Sequence, residues 1–287
     1  MPSRDFLPQR PFRVSVPLLP DTAVDVVVIL LDDHTLGWRP FRYASVGSLL
    51  RARYLGSLNE TELQPFPLLE ALEGPRVSVV LHVRAGDILQ KKRPRLSATE
   101  CVPSRQSNDK YLPASFYTHA IAWLLREGGL SERALEVVVV SEDPPSPQIA
   151  EISAFLRSRH PSLASRLRLH LGGPTTAAQA FYLMTHADVL VAGLSGFSRL
   201  AASMRGPGLV LAPRLDHHPL HALSFVQSVS CDSASGEWVA EQPSAQVSAI
   251  LDRLVQRAAG LAPPARHSKH RAATNQRSHM DIRLPIE

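Results

Sequence analysis

This chain has little sulfur, few aromatics and no long apolar run. Two cysteines, Cys101 and Cys231, stand in 287 residues. That excludes a disulfide framework, leaves room for one bridge at most, and offers no cysteine spacing for a metal. Spanning a bilayer takes about 20 apolar residues, and the longest run here, near Val26 to Leu31, falls far short. The N-terminus, Met-Pro-Ser-Arg-Asp-Phe-Leu, has no apolar signal core. A secreted or lumenal protein carries one, so the expectation is a cytoplasmic protein or a chain whose true start is missing. No Asp-x-Asp pair occurs, and no internal repeat.

Hydrophobic residues make up 44% of the chain and charged residues 20%, a globular balance, while 24 prolines promise many loops. The net charge of +5 is unevenly spread. Lys91, Lys92, Arg93 and Arg95 crowd one polar stretch, and Arg266, Lys269, His270 and Arg271 crowd the tail. A basic loop beside a strand end suits a phosphorylated ligand. Nucleic acid is not expected as a partner, because the basic residues lack aromatic interleaving and any binding motif.

The stretch Val77 to Asp87 organises the rest. Val-Ser-Val-Val-Leu-His-Val is the pattern of a strand buried on both faces. It breaks at Ala85-Gly86 and delivers His82, Arg84 and Asp87 to the strand's C-terminal end. Leu135 to Val140 and Asp188 to Ala192 read as two further buried strands, Arg168 to Leu171 and Leu209 to Ala212 as shorter ones. Helices are expected between them. One opens at Pro113 and closes at Gly128-Gly129, one starts at Ser146-Pro147, and one is capped by Thr175 or Thr176. Another runs from the Ser195 turn to about Met204, and the last from Val247 to Ala258. Earlier, Val24 to Leu31 reads as a strand and Ser45 to Leu58 as a helix. Alternating strands and helices imply an α/β fold, a Rossmann-like, mostly parallel sheet. The expected domains are an incomplete N-terminal region over 1–75, the Rossmann-like domain over 76–262, and a basic disordered tail over 263–287.

Three strand ends carry polar clusters that should share one sheet edge: His82/Arg84/Asp87, Ser141/Glu142/Asp143, and Ser195/Ser198 at a Gly-bracketed turn. The last puts backbone N–H groups and two hydroxyls at a helix N-terminus, which suits an anion. Arg84 has the fork for a phosphate, and the acids could accept hydrogen bonds from a ribose or base. The nucleophile elbow of a serine hydrolase needs Gly-x-Ser-x-Gly, and Gly193-Leu194-Ser195-Gly196-Phe197 fails at its fifth position. Asp32-Asp33-His34 and His217-His218-Pro-Leu-His221 read as polar loops rather than metal sites.

His82-Val83-Arg84-Ala85-Gly86-Asp87 resembles the His-x-Arg-x-Gly-Asp motif of the α1,2-, α1,6- and protein O-fucosyltransferase group. Leu112-Pro113 with Phe116-Tyr117 and Ala120-Ile121 is similar to the helix that follows the motif. Val140-Ser141-Glu142-Asp143 is similar to the second motif. Phe181-Tyr182-Leu183-Met184, Ala187-Asp188 and Ser195-Gly196-Phe197-Ser198 are similar to the third. The resemblance covers roughly residues 77 to 212. It implies the donor-binding half of a GT-B-like glycosyltransferase, with GDP-fucose as donor substrate, no resident cofactor and no metal. The partners would be a nucleotide-sugar donor and a glycan or protein acceptor, and the location the lumen of the secretory pathway if an N-terminal anchor is missing.

By the same resemblance Arg84 and Asp87 would be catalytic, Arg84 by stabilising charge on the leaving diphosphate. His82, Arg84, Ser141, Glu142, Asp143, Ser195, Phe197 and Ser198 would bind the donor. Three positions depart from the family. Ala180 stands where the third motif carries an acid, Gly196 replaces a Ser, and the first 75 residues hold no counterpart of the N-terminal domain. A non-catalytic nucleotide-sugar binder or a truncated fragment is the alternative.

Overall fold

A computed structural model describes residues 68, 71–72, 74–84, 112–141, 146–171, 177–206, 208–214, 225–231 and 238–260. The strand and helix expected near residues 24–31 and 45–58 lie outside these, as do the basic stretch at 91–95 and the tail. All described residues belong to one compact unit. Inside its sheet lies β1 (Val77–Val83), flanked by β2 (Leu135–Ser141) and β4 (Val189–Val191). β3 (Arg168–Leu171) lies beyond β2, and β5 (Leu209–Pro213), β6 (Val226–Cys231) and β7 (Trp238–Ala240) follow β4.

Among the described residues seven strands stand in the order β3-β2-β1-β4-β5-β6-β7, all parallel except β7, which pairs antiparallel with β6. From β1 to β6 this is the doubly wound Rossmann order. The expected α/β class with a mostly parallel sheet is therefore what the chain forms. β6 and β7 were not foreseen, because Val-Gln-Ser-Val-Ser-Cys mixes polar and apolar residues without a clean strand signal.

Among the described residues six α-helices connect and cover the strands: α1 (Ala114–Arg126), α2 (Pro147–Arg159), α3 (Pro161–Ala164), α4 (Ala177–His186), α5 (Gly196–Ser203) and α6 (Ala245–Ala258). Their starts follow local rules. Ser146 caps α2 by accepting from the Ile149 N–H at 3.4 Å with Pro147 in the first turn, and Ser244 caps α6 through Val247 N–H at 3.2 Å.

Two apolar layers sandwich the sheet. Val77, Val79, Leu81 and Val83 pack with Phe116, Ile121 and Leu124 of α1, Ile152 and Leu156 of α2, and Ile250 and Leu254 of α6. Val80, Val138 and Val140 pack with Phe181 and Met184 of α4 and Ala201 and Ala202 of α5 on the other face. Because strand side chains alternate, the even positions of β1 face α4 and α5. Ser78 and His82 are on that side.

The N-terminal edge of the sheet is tied by one buried charge network. Asp188 accepts from the backbone N–H and hydroxyl of Ser78 at 2.7 and 2.8 Å, and pairs with Arg257 at the end of α6. Arg257 also donates to the carbonyls of Gly74 and Arg76, at 3.1 and 2.6 Å. The Arg257 Nη2 is thus satisfied by backbone carbonyls and the Asp188 carboxylate by Ser78 and Arg257, whereas Arg257 Nε has no partner among the described residues. Hydrogen bonding of this kind is what lets a buried ion pair be tolerated. The network fastens the start of β1 to the last helix and leaves the opposite edge of the sheet open for function.

Candidate functional site

Strand order decides where a ligand can sit. From β1 the chain winds one way through β2 to β3, then returns to β4 and winds the other way. The reversal falls between β1 and β4, and in open α/β sheets the crevice beyond the strand ends at that point holds the ligand. One lip of this crevice is the end of β1, with His82 and Arg84. The other is the turn from β4 into α5, Gly193 to Ser198.

His82 is 1% exposed. Its ring lies 6.1 Å from Phe197 on α5, which in turn lies 5.3 Å from Phe181 on α4. Burial first, and then the adjacent Arg84 guanidinium, push the imidazole down from 6.5 to about 4. At neutral pH it is uncharged, with one nitrogen a donor and the other an acceptor. Nδ1 has no hydrogen-bond partner among the described residues and lies against Gly193. Arg84, the first residue past β1, is half-buried and near enough for its charge to act on His82.

The opposite lip is built by its serines. Ser195 caps α5, its Oγ accepting from Phe197 N–H at 3.2 Å. Ser198 donates its hydroxyl to the carbonyls of Gly193 and Ser195, at 2.8 and 3.2 Å. Both side chains are buried. Their hydroxyls therefore shape the turn, and the anion-attracting part of this lip is the backbone at the helix start. Gly196 is exposed, with nothing within 4 Å of where a side chain would begin, so the helix start is open above it.

The structure brings His82, Arg84, Ser195, Phe197 and Ser198 together. Ser141 is placed differently. It is in register with Val83, so it points to the α1 and α2 face, away from His82. Asp87, Glu142 and Asp143 lie outside the described residues. Two further participants escaped sequence reasoning. Tyr117 on α1 donates its hydroxyl to the His82 carbonyl at 2.9 Å, and Gly193 admits the His82 ring. The available signal for Tyr117 was a tyrosine on a helix face expected to be buried, since a buried phenol needs a partner.

Among the described residues no helix is long and apolar enough to cross a membrane. No family model matches the chain, and no curated protein does. Solved structures with some likeness include a UDP-forming α,α-trehalose-phosphate synthase from Burkholderia xenovorans in complex with glucose-6-phosphate, at TM-score 0.41 and 11% identity over 76% of this chain and 44% of that one. A second synthase of this kind, from Burkholderia vietnamiensis, has TM-score 0.39 and 12% identity, covering 78% of this chain and 46% of that one. The catalytic domain of starch synthase IV from Arabidopsis thaliana, bound to ADP and acarbose, has TM-score 0.32 and 12% identity, covering 79% and 40%. The chain thus spans less than half the length of each of these structures.

Proposed function

We propose that this chain is the donor-binding part of a glycosyltransferase that moves a sugar from a nucleotide-diphosphate donor to a hydroxyl of a glycan or protein. The specific donor proposed is GDP-fucose, on the motif resemblance, with inversion at the anomeric carbon and no metal. The observation that supports this best is the switch-point crevice, with Arg84 and neutral His82 on one lip and a helix start on the other. A diphosphate needs a cationic fork and neutral donors on both sides, and this crevice supplies them. A dinucleotide is the less suitable occupant, because the sequence after β1, Arg84-Ala85-Gly86, lacks the glycine-rich fingerprint.

In transfer, the acceptor hydroxyl oxygen bonds to the anomeric carbon as the bond to the β-phosphate oxygen breaks, and its proton passes to water or to the departing diphosphate. The electron pair leaves with the nucleotide diphosphate. Arg84 stabilises that charge more in the transition state than in the bound donor, which is the condition for catalysis. A contact of this type is worth about 3 to 4 kcal/mol. Neutral His82 contributes a donor without adding a cation that Arg84 would repel.

The non-catalytic reading has one observation in its favour. Ala180 packs in the apolar layer between α4 and the sheet, where the family carries an acid. Calorimetric titration of GDP and GDP-fucose into the wild type and Arg84→Ala tests the proposal. GDP should bind the wild type and bind the variant about tenfold or more weakly, since a charge-assisted hydrogen bond is worth about 1.5 to 3 kcal/mol. Equal affinities, or no binding in the wild type, would overturn it. Consumption of GDP-fucose then separates the enzyme from the binder.

A further inference from the structure

The pairing of β1 with β4 ends at Leu81 and Val191. Past that level β4 turns through Gly193 into α5, and the two strands part. The carbonyl of His82, at the point of parting, accepts the Tyr117 hydroxyl at 2.9 Å. That phenol comes from α1, on the face of the sheet opposite α4 and α5. It is fully buried, and Phe116 sets its ring edge-on at 5.4 Å and 87°. Its oxygen is also 3.6 Å from where a Cβ on Gly193 would stand. A single rigid side chain therefore bonds one lip of the crevice and lies close to the other.

We propose that Tyr117 is a positioning residue that fixes the end of β1 against the β4–α5 turn, and so aims His82 at the phosphates of a nucleotide ligand. The ligand half of this inference rests on the function proposed above, whereas the geometric half does not. The physical reason is local. A buried carbonyl without a partner is costly, so the peptide of His82 stays where the phenol can reach it. Phe116 and the apolar layer fix the ring, and the ring fixes the strand end. Phenylalanine at 117 would keep the volume and remove this tether. The His82 peptide would then be free to seek another donor, rotating the imidazole.

The test uses the whole chain with Tyr117→Phe and, as control, Thr118→Val, which removes a hydroxyl that bonds the Ser115 carbonyl on the same helix. Three readouts are taken: thermal unfolding, the imidazole nitrogen resonances of His82 without ligand, and GDP affinity by calorimetry. Expected for Tyr117→Phe are cooperative unfolding, shifted His82 resonances and GDP affinity lowered about tenfold, the upper end for one neutral hydrogen bond. Thr118→Val should move neither the resonances nor the affinity.

His82 resonances and GDP affinity both at wild-type values in Tyr117→Phe would overturn the inference, even if the variant melts lower. If the wild type binds no GDP, the functional proposal fails on its own. The His82 resonances still decide whether Tyr117 sets the strand end. Should Tyr117→Phe not fold, a fluorine on the Tyr117 ring keeps the hydroxyl and reports instead. Its resonance should move when GDP is added, and a fixed resonance while GDP binds overturns the inference.

Discussion

The Nδ1 of His82 lies so close to Gly193 that a Cβ added there would stand 3.1 Å from it and 2.7 Å from the His82 carbonyl oxygen. The second contact is with backbone, which cannot swing away as a side-chain end can. Gly193 is thus required by close approach, and the strand–turn junction and the imidazole occupy a space that admits no methyl group. The exposed Gly196, three residues on, has no such neighbour.

This contrast gives the first prediction. Gly193→Ala should destabilise the protein by about 1 to 3 kcal/mol, the usual cost of overpacking a tight site. It should also weaken any ligand that uses His82. Gly196→Ala should stay within about 0.5 kcal/mol of wild type, as surface changes commonly do. Urea unfolding of the two variants side by side checks both. Equal losses would mean that the crevice is not packed as described.

Part of this was legible in the sequence. Val77 to Val83 is continuous and apolar because β1 is buried on both faces, and Ser146-Pro147 announces a helix start without tertiary help. The mates of those elements were another matter, because strand order is a property of the assembled sheet. That β4 lies beside β1, bringing the Ser195 turn against His82, follows from no local pattern. The serines show the limit well. Ser195 and Ser198 read as ligand hydroxyls, and both also shape the turn, Ser195 by accepting from Phe197 N–H and Ser198 by donating to backbone carbonyls. Ser141 shares a strand-end motif with acids, but its register with Val83 sends it to the opposite face. Asp188 reads as the polar start of a strand, and its partner Arg257 is 69 residues further on.

The second prediction concerns pH. The imidazole of His82 is held down near 4 by burial and by Arg84, while in the unfolded chain it titrates at 6.5. Between those values the unfolded chain binds the proton and the folded one does not, so stability rises with pH there. The contribution is fully present above 6.5 and is lost as pH falls through about 4. The interval corresponds to about 3 kcal/mol at full extent. His170 on β3, also pushed down by burial, adds a slope of the same sign. Urea unfolding from pH 7 to pH 4 should therefore show a slope that becomes shallower in His82→Gln. An unchanged slope in His82→Gln, with His170→Asn alone flattening it, would assign the effect to β3.

The third prediction separates the two edges of the sheet. Asp188→Ala removes the acceptor of Arg257 and of Ser78, leaving a buried guanidinium with only carbonyl partners. Breaking a buried pair from one side costs about 3 to 5 kcal/mol. The pair lies at the N-terminal edge, whereas Arg84 and the Ser195 turn are at the C-terminal edge. The variant should therefore unfold at much lower urea, yet its folded fraction should bind GDP with wild-type affinity. Arg84→Ala should show the reverse, near-normal unfolding with weakened binding. Measuring both quantities on both variants gives a crossed pattern if one edge holds the fold and the other holds the ligand. A loss of affinity in folded Asp188→Ala as large as that in Arg84→Ala would show that the network at the base of β1 also sets the geometry at its tip.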